Sequence, residues 1–282
     1  MKMKRVASIQ DISCLGRCSL TAALPVLSAM AVECAVIPTA VLSTHTEFDG
    51  FISHDLTDHI YPVAQHWKSQ GLHFDAFYTG YMASPQQAEQ ICAAYDLLRE
   101  ENTMFFVDPA MADHGKLYPT FDEDFPQSMA KVCRRADVLL PNLTEACLLT
   151  GTDYREDYDE AYIRTLLRRL TDLGPRRAVI TGVSFTPSQL GAMSYDREKD
   201  QYFSYFNDKM NVHYSGTGDI FASTTVGGVM RGLSLEEAMT LAVDFTLHCL
   251  QITCANPDAP RYGVEFERAL PVLYQRLGPL QA

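Results

Sequence analysis

Short apolar runs alternate along the chain with longer stretches of helical period. Residues 6–9 and 34–41 read as strands, and residues 20–31 between them as a helix with Pro25 near its start. Residues 53–70 are expected to be helical and to stop at Gly71, and a strand is expected over 74–79. Ser84-Pro85-Gln86-Gln87 is a strong helix start. A serine caps free N–H groups, proline lacks an N–H that the first turn does not use, and glutamine at the third position can bond back to the cap. That helix runs to about Glu101. Residues 104–107 and 138–140 are continuous apolar runs, as in strands buried on both faces. A helix near 158–173 precedes another buried strand at 178–181. Residues 190–195 and 202–206 flank a charged turn and predict an antiparallel hairpin. The remainder is helical: about 217–230, then 234–254 with Ser234 and Glu237 as a capping box, then 264–277.

This alternation predicts an α/β fold of three layers, a mostly parallel central sheet with helices on both faces. No Pro/Gly/Ser-rich linker, low-complexity tract or internal repeat divides the sequence, so one domain over residues 1–282 is expected. With 47% hydrophobic and 21% charged residues, the composition is that of a soluble globular protein. The net charge of −12 opposes nucleic acid and anionic membrane, and neither is expected as a partner. A nucleotide would have to be held by local dipoles and a metal. The eight cysteines form no Cys-x-x-Cys pair and suit buried thiols of a cytosolic protein. The N-terminus runs into a strand without the apolar segment of a signal peptide, and no apolar run is expected to span a membrane. A cytoplasmic location is the expectation.

In such a sheet, ligands bind beyond the carboxyl ends of the strands. The residues after each apolar run are Gln10 and Asp11, then Ser43-Thr44-His45-Thr46, Gly80-Tyr81, Asp108-Pro109, Asn142 with Glu145, and Thr181-Gly182. Acids, hydroxyls and an amide in that place suit magnesium and the handling of a hydroxyl group. Neither a Gly-x-x-x-x-Gly-Lys-Ser/Thr loop nor an early Gly-x-Gly-x-x-Gly is present. Phosphoryl chemistry would have to use the late segment Gly216-Thr217-Gly218-Asp219, which opens a helix. Glycines and a helix N-terminus make an anion site. An aspartate there would repel an anion, but it makes sense as a base that takes a proton from a hydroxyl. Each feature also has a plainer reading. The glycines could form a tight turn with Asp219 favouring the helix dipole, and Asn142 with Glu145 could be an N-cap pair. Asp108 could be a turn residue, His45 a hydrogen-bonded loop histidine, and the cysteines inert. Independent turns would not be expected to place so many suitable groups on one edge.

Taken in order and spacing, these segments resemble the ribokinase-like superfamily, more closely its vitamin B6 kinase branch. Gly216-Thr217-Gly218-Asp219-Ile220-Phe221-Ala222 resembles the C-terminal signature of that superfamily. Ser8-Ile9-Gln10, Ser43-Thr44-His45-Thr46, Thr79-Gly80-Tyr81, Asp108-Pro109-Ala110-Met111, Pro141-Asn142-Leu143-Thr144-Glu145 and Val179-Ile180-Thr181 resemble its other segments, so the likeness covers nearly the whole chain. The resemblance implies an ATP-dependent kinase of a B6 vitamer. It makes Asp219 the general base, and the Gly216, Thr217 and Gly218 amides the anion hole. Asp108 and Glu145, with Asn142, would organise Mg2+ and the ATP phosphates, and Thr181, Gly182 and Thr217 would lie near the nucleotide. Asp11, Cys18, Thr46 and Tyr81 would line the vitamin pocket, and residues 111–118 would close over the phosphates with Asp113, Lys116 and Tyr118 as second-rank candidates. A homodimer is also implied, while dependence on K+ is left open.

Two positions depart from the branch. Asp11 stands where many B6 kinases carry serine, and Leu42 where relatives often have an aromatic residue, so vitamer preference stays open. The runner-up is a hydroxymethylpyrimidine kinase of thiamine synthesis, a branch that typically carries cysteine where this chain has Asp219. A sugar kinase lacks support, since no early Gly-rich segment or long lid is visible. A catalytically silent B6- or nucleotide-binding regulator is the alternative outside the enzymes.

Overall fold

The computed structural model describes residues 2–260 and 262–278. Its centre is a nine-stranded sheet. The strands are β1 (Arg5–Leu15), β2 (Glu33–Thr44), β3 (Ser53–Asp55), β4 (Ala76–Thr79), β5 (Met104–Val107), β8 (Val138–Leu139), β9 (Arg177–Val183), β10 (Gln189–Asp196) and β11 (Gln201–Asp208). Their spatial order is β11-β10-β9-β8-β5-β4-β1-β2-β3. The six strands from β9 to β2 are mutually parallel, while β10, β11 and β3 form antiparallel edges. Each parallel crossover runs through the face of the sheet, so both faces must be covered.

Alternate side chains of the central strands feed two cores. Ala7, Ile9, Phe77, Phe105 and Val107 pack with α2 (Thr57–Ser69), α3 (Pro85–Leu98), α4 (Phe125–Cys133), α5 (Leu143–Thr150) and α6 (Glu160–Asp172). Val6, Tyr78 and Phe106 pack with α1 (Ser19–Ala29), α7 (Thr217–Met230), α8 (Leu235–Ala255) and α9 (Leu270–Leu277). The three-layer α/β expectation is met.

The predicted caps are in place. Ser84 accepts from the Gln87 N–H, and Ser234 and Glu237 bond reciprocally. Other elements differ from the sequence reading. Residues 53–55 are an edge strand, not helix; Asp55 Oδ1 then accepts from the Thr57 N–H and turns the chain into α2. Residues 264–277 divide into a 3-10 turn at Phe266–Arg268 and α9. Helix α4, though amphipathic, and a small hairpin, β6 (Ala112–Asp113) with β7 (Lys116–Leu117), which is too short to show a period, are missing from the sequence reading. Strand β1 runs on past Ile9, where pairing with β4 stops, and continues against β2 alone. Contrary to expectation, one described helix, α8, is long and apolar enough by composition to cross a membrane; it packs against α7 and β11 here. All eight cysteines are free, four of them buried, with Cys14 and Cys254 exposed.

Helix α7 sits close to its neighbours because its inner face is small. An added Cβ at Gly228 would lie 2.8 Å from the Ala238 Cβ and 3.2 Å from its Cα. Backbone on that side leaves no room to yield. Gly228→Val should therefore lower stability by about 1–3 kcal/mol through overpacking. Urea unfolding followed by circular dichroism measures this, and an unchanged midpoint would contradict so tight an α7–α8 contact.

Candidate active site

The segment Gly216–Asp219 begins α7 at the carboxyl edge of the sheet, where the chain rises beside the N-terminus of α1. Gly216 is the N-cap, in the left-handed region at φ 82°. A Cβ there would sit 1.9 Å from the Arg17 carbonyl oxygen, so only glycine fits this turn. The residues before α1 are held in turn. The Arg17 N–H donates to the Tyr262 carbonyl at 3.2 Å, and its guanidinium pairs with Glu267 at 2.8 Å. Gly218 is different: nothing lies within 4 Å of the Cβ it lacks. Packing does not require glycine there, and the residue is exposed.

Asp219 is half-buried in the first turn of α7. Desolvation raises its pKa to about 7, with Asp11 adding to the rise. The Ser19 N–H donates to its carboxylate and offsets part of this. Ser19 holds a positive φ of 47°, a costly conformation for serine, at the point where it serves two acids. Its hydroxyl bonds to Asp11. Asp11 lies at an irregularity between Gln10 and Ile12 in the β1–β2 register, buried with the Ser13 hydroxyl at 3.3 Å, and burial pushes its pKa up. Cys18 joins this group; burial, then Asp219, push its thiol up to about 12, so it is a neutral wall. Tyr81 feels Asp11 and bonds Thr120 at 3.2 Å. Thr46 is exposed in the turn after β2, and no described hydrogen bond ties it to these groups.

A second acid group lies beyond β5 and β8. Asp108 is buried, and its pKa is held well above the usual carboxylate range by desolvation, then by Glu145 and Asp219. No hydrogen bond to its carboxylate is found among the described residues. Glu145 is the third residue of α5 and is also raised by burial. One of its oxygens accepts from the Asn142 N–H at 2.8 Å and the other from the Met111 N–H at 3.0 Å. Asn142 caps α5, and its amide donates to the Ala112 carbonyl at 2.7 Å. The N-cap reading of this pair therefore holds geometrically, and the same two side chains anchor hairpin β6–β7. From that hairpin Asp113 raises Glu145, and Tyr118 is pushed up by burial and the acids around it. Lys116 is exposed and pairs in register with Asp113, and no ion pair ties it to the acids among the described residues. Thr181 donates its N–H to the Pro141 carbonyl at 2.9 Å, beside the α5 cap. Gly182, at φ 71°, is the extra residue where the β9–β10 register shifts, so its ladder positions are free at the strand end.

Two further residues belong here. His45 is 6% exposed; its Nδ1 accepts from the Glu47 N–H at 3.3 Å, which leaves the proton on Nε2. That Nε2 is buried without a partner, and burial lowers the ring's pKa, so a neutral donor waits beside Gly16. Tyr78 lies fully buried on β4; the Ser223 hydroxyl donates to its oxygen at 3.4 Å, and Asp108 and Asp219 help to push its pKa up. The sequence reading set the histidine aside as a loop residue. The tyrosine hides inside an apolar run with no separate signal.

One edge of the sheet thus joins an open amide turn to two groups of desolvated acids. The phosphomethylpyrimidine kinase family model matches residues 20–261. The chain belongs to the phosphomethylpyrimidine kinase family. Within the ribokinase-like superfamily, this family member is like proteins that act on vitamin B6. A solved Bacteroides thetaiotaomicron VPI-5482 protein, described as a phosphomethylpyrimidine kinase and crystallised with pyridoxal, is 35% identical; the match covers 100% of this chain and 98% of that one, with a TM-score of 0.92. Pyridoxal kinase from Lactobacillus plantarum is 32% identical, with 98% of each chain covered and a TM-score of 0.88. Pyridoxal kinase of Dictyostelium discoideum is 26% identical over 80% of this chain and 78% of its own. A kinase of this family transfers a phosphoryl group to a hydroxyl.

The raised pKa of Asp219 has a consequence for stability. The folded state holds this proton up to about pH 7, whereas the unfolded chain loses it near 3.8. Between those values the folded form binds more protons, so rising pH costs stability. The melting-temperature advantage of Asp219→Asn over wild type should be larger at pH 8 than at pH 5, which already lies inside that window. Scanning fluorimetry at both values measures the gap, and a gap that shrinks as pH rises would contradict the desolvated carboxylate.

Proposed function

We propose that this chain is an ATP-dependent kinase that phosphorylates the 5′-hydroxymethyl group of a vitamin B6 vitamer: pyridoxal, pyridoxine or pyridoxamine. The observation that carries the reading is Asp219 itself. It stands in the first turn of α7, one residue past an amide turn, half-open to the cleft and poised to titrate near neutral pH. A carboxylate so placed takes the proton from an alcohol as the oxygen attacks, while the Gly216, Thr217 and Gly218 amides stabilise the phosphoryl group in transit. Such transfer asks mainly for in-line positioning and charge stabilisation.

Asp11, Cys18, Tyr81 and Thr46 form the vitamin side in this reading, and His45 adds an N–H donor toward the ring's substituents. Asn142, Thr181, Gly182 and Thr217 take the nucleotide side. The acids fit Mg2+: Asp108 is a buried carboxylate with no donor, beside two others. Asp108 would hold the ion, and Glu145, its oxygens already engaged by amides, would act through water. Bound Mg2+ supplies charge neutralisation at the β- and γ-phosphates. Asp113, Lys116 and Tyr118 ride on the hairpin region that screens the site from water. A single kinase domain and a cytoplasmic setting, drawn from the undivided sequence and its cysteine usage, and a homodimer, drawn from the resemblance alone, complete the reading. The pyrimidine alternative is supported by the family's description, but the acid at 219 favours the vitamer, since that branch typically carries cysteine there.

ADP release should be measured with the three vitamers and with hydroxymethylpyrimidine. Asp219→Asn should lower kcat by about 10²–10⁴ and leave the KM for ATP within a few fold. The wild-type rate should rise with pH through about 7, as the base loses its proton. Turnover of the pyrimidine alone would overturn the function, and full activity of the variant would overturn the base. Asp11→Ser should change the relative kcat/KM among vitamers, because Asp11 can accept from the 3-hydroxyl or pair with a protonated amine. Unchanged ratios across all three would remove that role.

A further inference from the structure

Hairpin β6–β7 and the loop before the anion turn meet at a cluster whose two histidines the kinase reading does not use. Asp113, His114 and His213 each offer one ligand atom, and these atoms lie within 4.8 Å of one another. His114 Nε2 is 3.5 Å from Asp113 Oδ2, and the two imidazole centroids are 6.0 Å apart. No other group of three such donors is found among the described residues. We propose that Asp113, His114 and His213 bind a transition-metal dication of the Zn2+ class, which clips the hairpin to the loop leading into Gly216.

The donor set selects the ion. Two imidazole nitrogens and one carboxylate suit Zn2+, with a water in the fourth position. Mg2+ prefers an all-oxygen octahedron and is disfavoured. Ligand atoms on a tetrahedral zinc lie about 3.4 Å apart, from bonds of about 2.0–2.2 Å. Rotation of two exposed imidazoles covers the difference. The cluster's backbone is held in place. His114 and Gly115 are the two central residues of the turn, both at positive φ, 48° and 77°, as a type I′ hairpin requires. Asparagine, aspartate or glycine is the usual choice at the first position, so histidine adds a ligand where a turn-former alone would do. The Gly115 N–H donates to Thr144 Oγ1 at 3.0 Å, and a Cβ on Gly115 would strike the Tyr154 ring at 2.8 Å. The tip is thereby pressed on the body of the protein, with His114 facing His213, three residues before Gly216. A metal at this point joins segments about a hundred residues apart in sequence. Under the kinase reading it would hold the screen closed over the phosphate side; binding itself does not depend on that reading.

The test uses the full chain without nucleotide. Zn2+ titration by calorimetry should show one site in the micromolar range. Co2+ substitution should give the visible bands of a tetrahedral ion. His114→Asn and His213→Asn lie on the surface and should fold normally, and each should weaken Zn2+ binding by at least about tenfold, since ligand loss costs no less than loss of an outer-shell partner. Lys116, exposed on β7, reports on the hairpin: Zn2+ should slow tryptic cleavage after it in wild type and leave both variants unchanged. The site is overturned if no Zn2+ binds below millimolar concentration, or if both variants keep wild-type affinity, as for binding at cysteines or the buried acids. The clip is overturned if Zn2+ binds through the histidines and cleavage at Lys116 does not slow.

Discussion

Negative charge crowded at the carboxyl end of one sheet is the constraint that organises this protein. Asp11, Asp108, Glu145 and Asp219 come from β1, the turn after β5, and the first turns of α5 and α7. Three of the four are buried and Asp219 is half-buried, and Glu145 and Asp219 both add to the rise at Asp108. Left alone, such a group resists ionisation. Helix N-termini, backbone amides and a cation are the means available to steady it.

The surrounding structure supplies the first two. Glu145 is satisfied by the amides of Asn142 and Met111, which also root the hairpin. Asp219 receives the Ser19 amide, and Ser19 can offer it only because its backbone is held in the left-handed region. Close by, Arg17 is tied to Tyr262 and Glu267, and Gly216 leaves the Arg17 carbonyl its space. Residues from near both ends of the chain thus meet beside one carboxylate. Asp108 receives no such help: burial, Glu145 and Asp219 all push its pKa up, and no donor offsets them. The same desolvation that makes the folded state lose stability as pH rises toward 7 is what moves the titration of Asp219 to near neutrality.

Most of the layer architecture was legible in the sequence. Buried strands such as Met104–Val107 are apolar without alternation, and caps such as Ser84 and Ser234 announce their helices through local hydrogen bonds. The misses share a cause. Ser53–Asp55 is polar and exposed, a strand only because β2 offers it an edge. The hairpin has two residues on each side and stands because Asn142, Glu145 and Thr144 hold it. Helix α8 looks apolar enough for a membrane because α7 and β11 cover it.

The sequence by itself determined the order of strands and helices, because period and capping are local properties. It also gave the chemical stock of the edge, because the residues following each apolar run are fixed by topology. Only the tertiary structure decided what those residues are. It made Asn142 and Glu145 a cap and a root together, left Asp108 without a donor, and put the unpaired Nε2 of His45 beside Gly16. It also brought His114 to His213 across a hundred residues. Burial, hydrogen-bond partners and the charge of neighbours depend on segments remote in the chain, and these quantities set whether a carboxylate or an imidazole is inert, basic or a ligand.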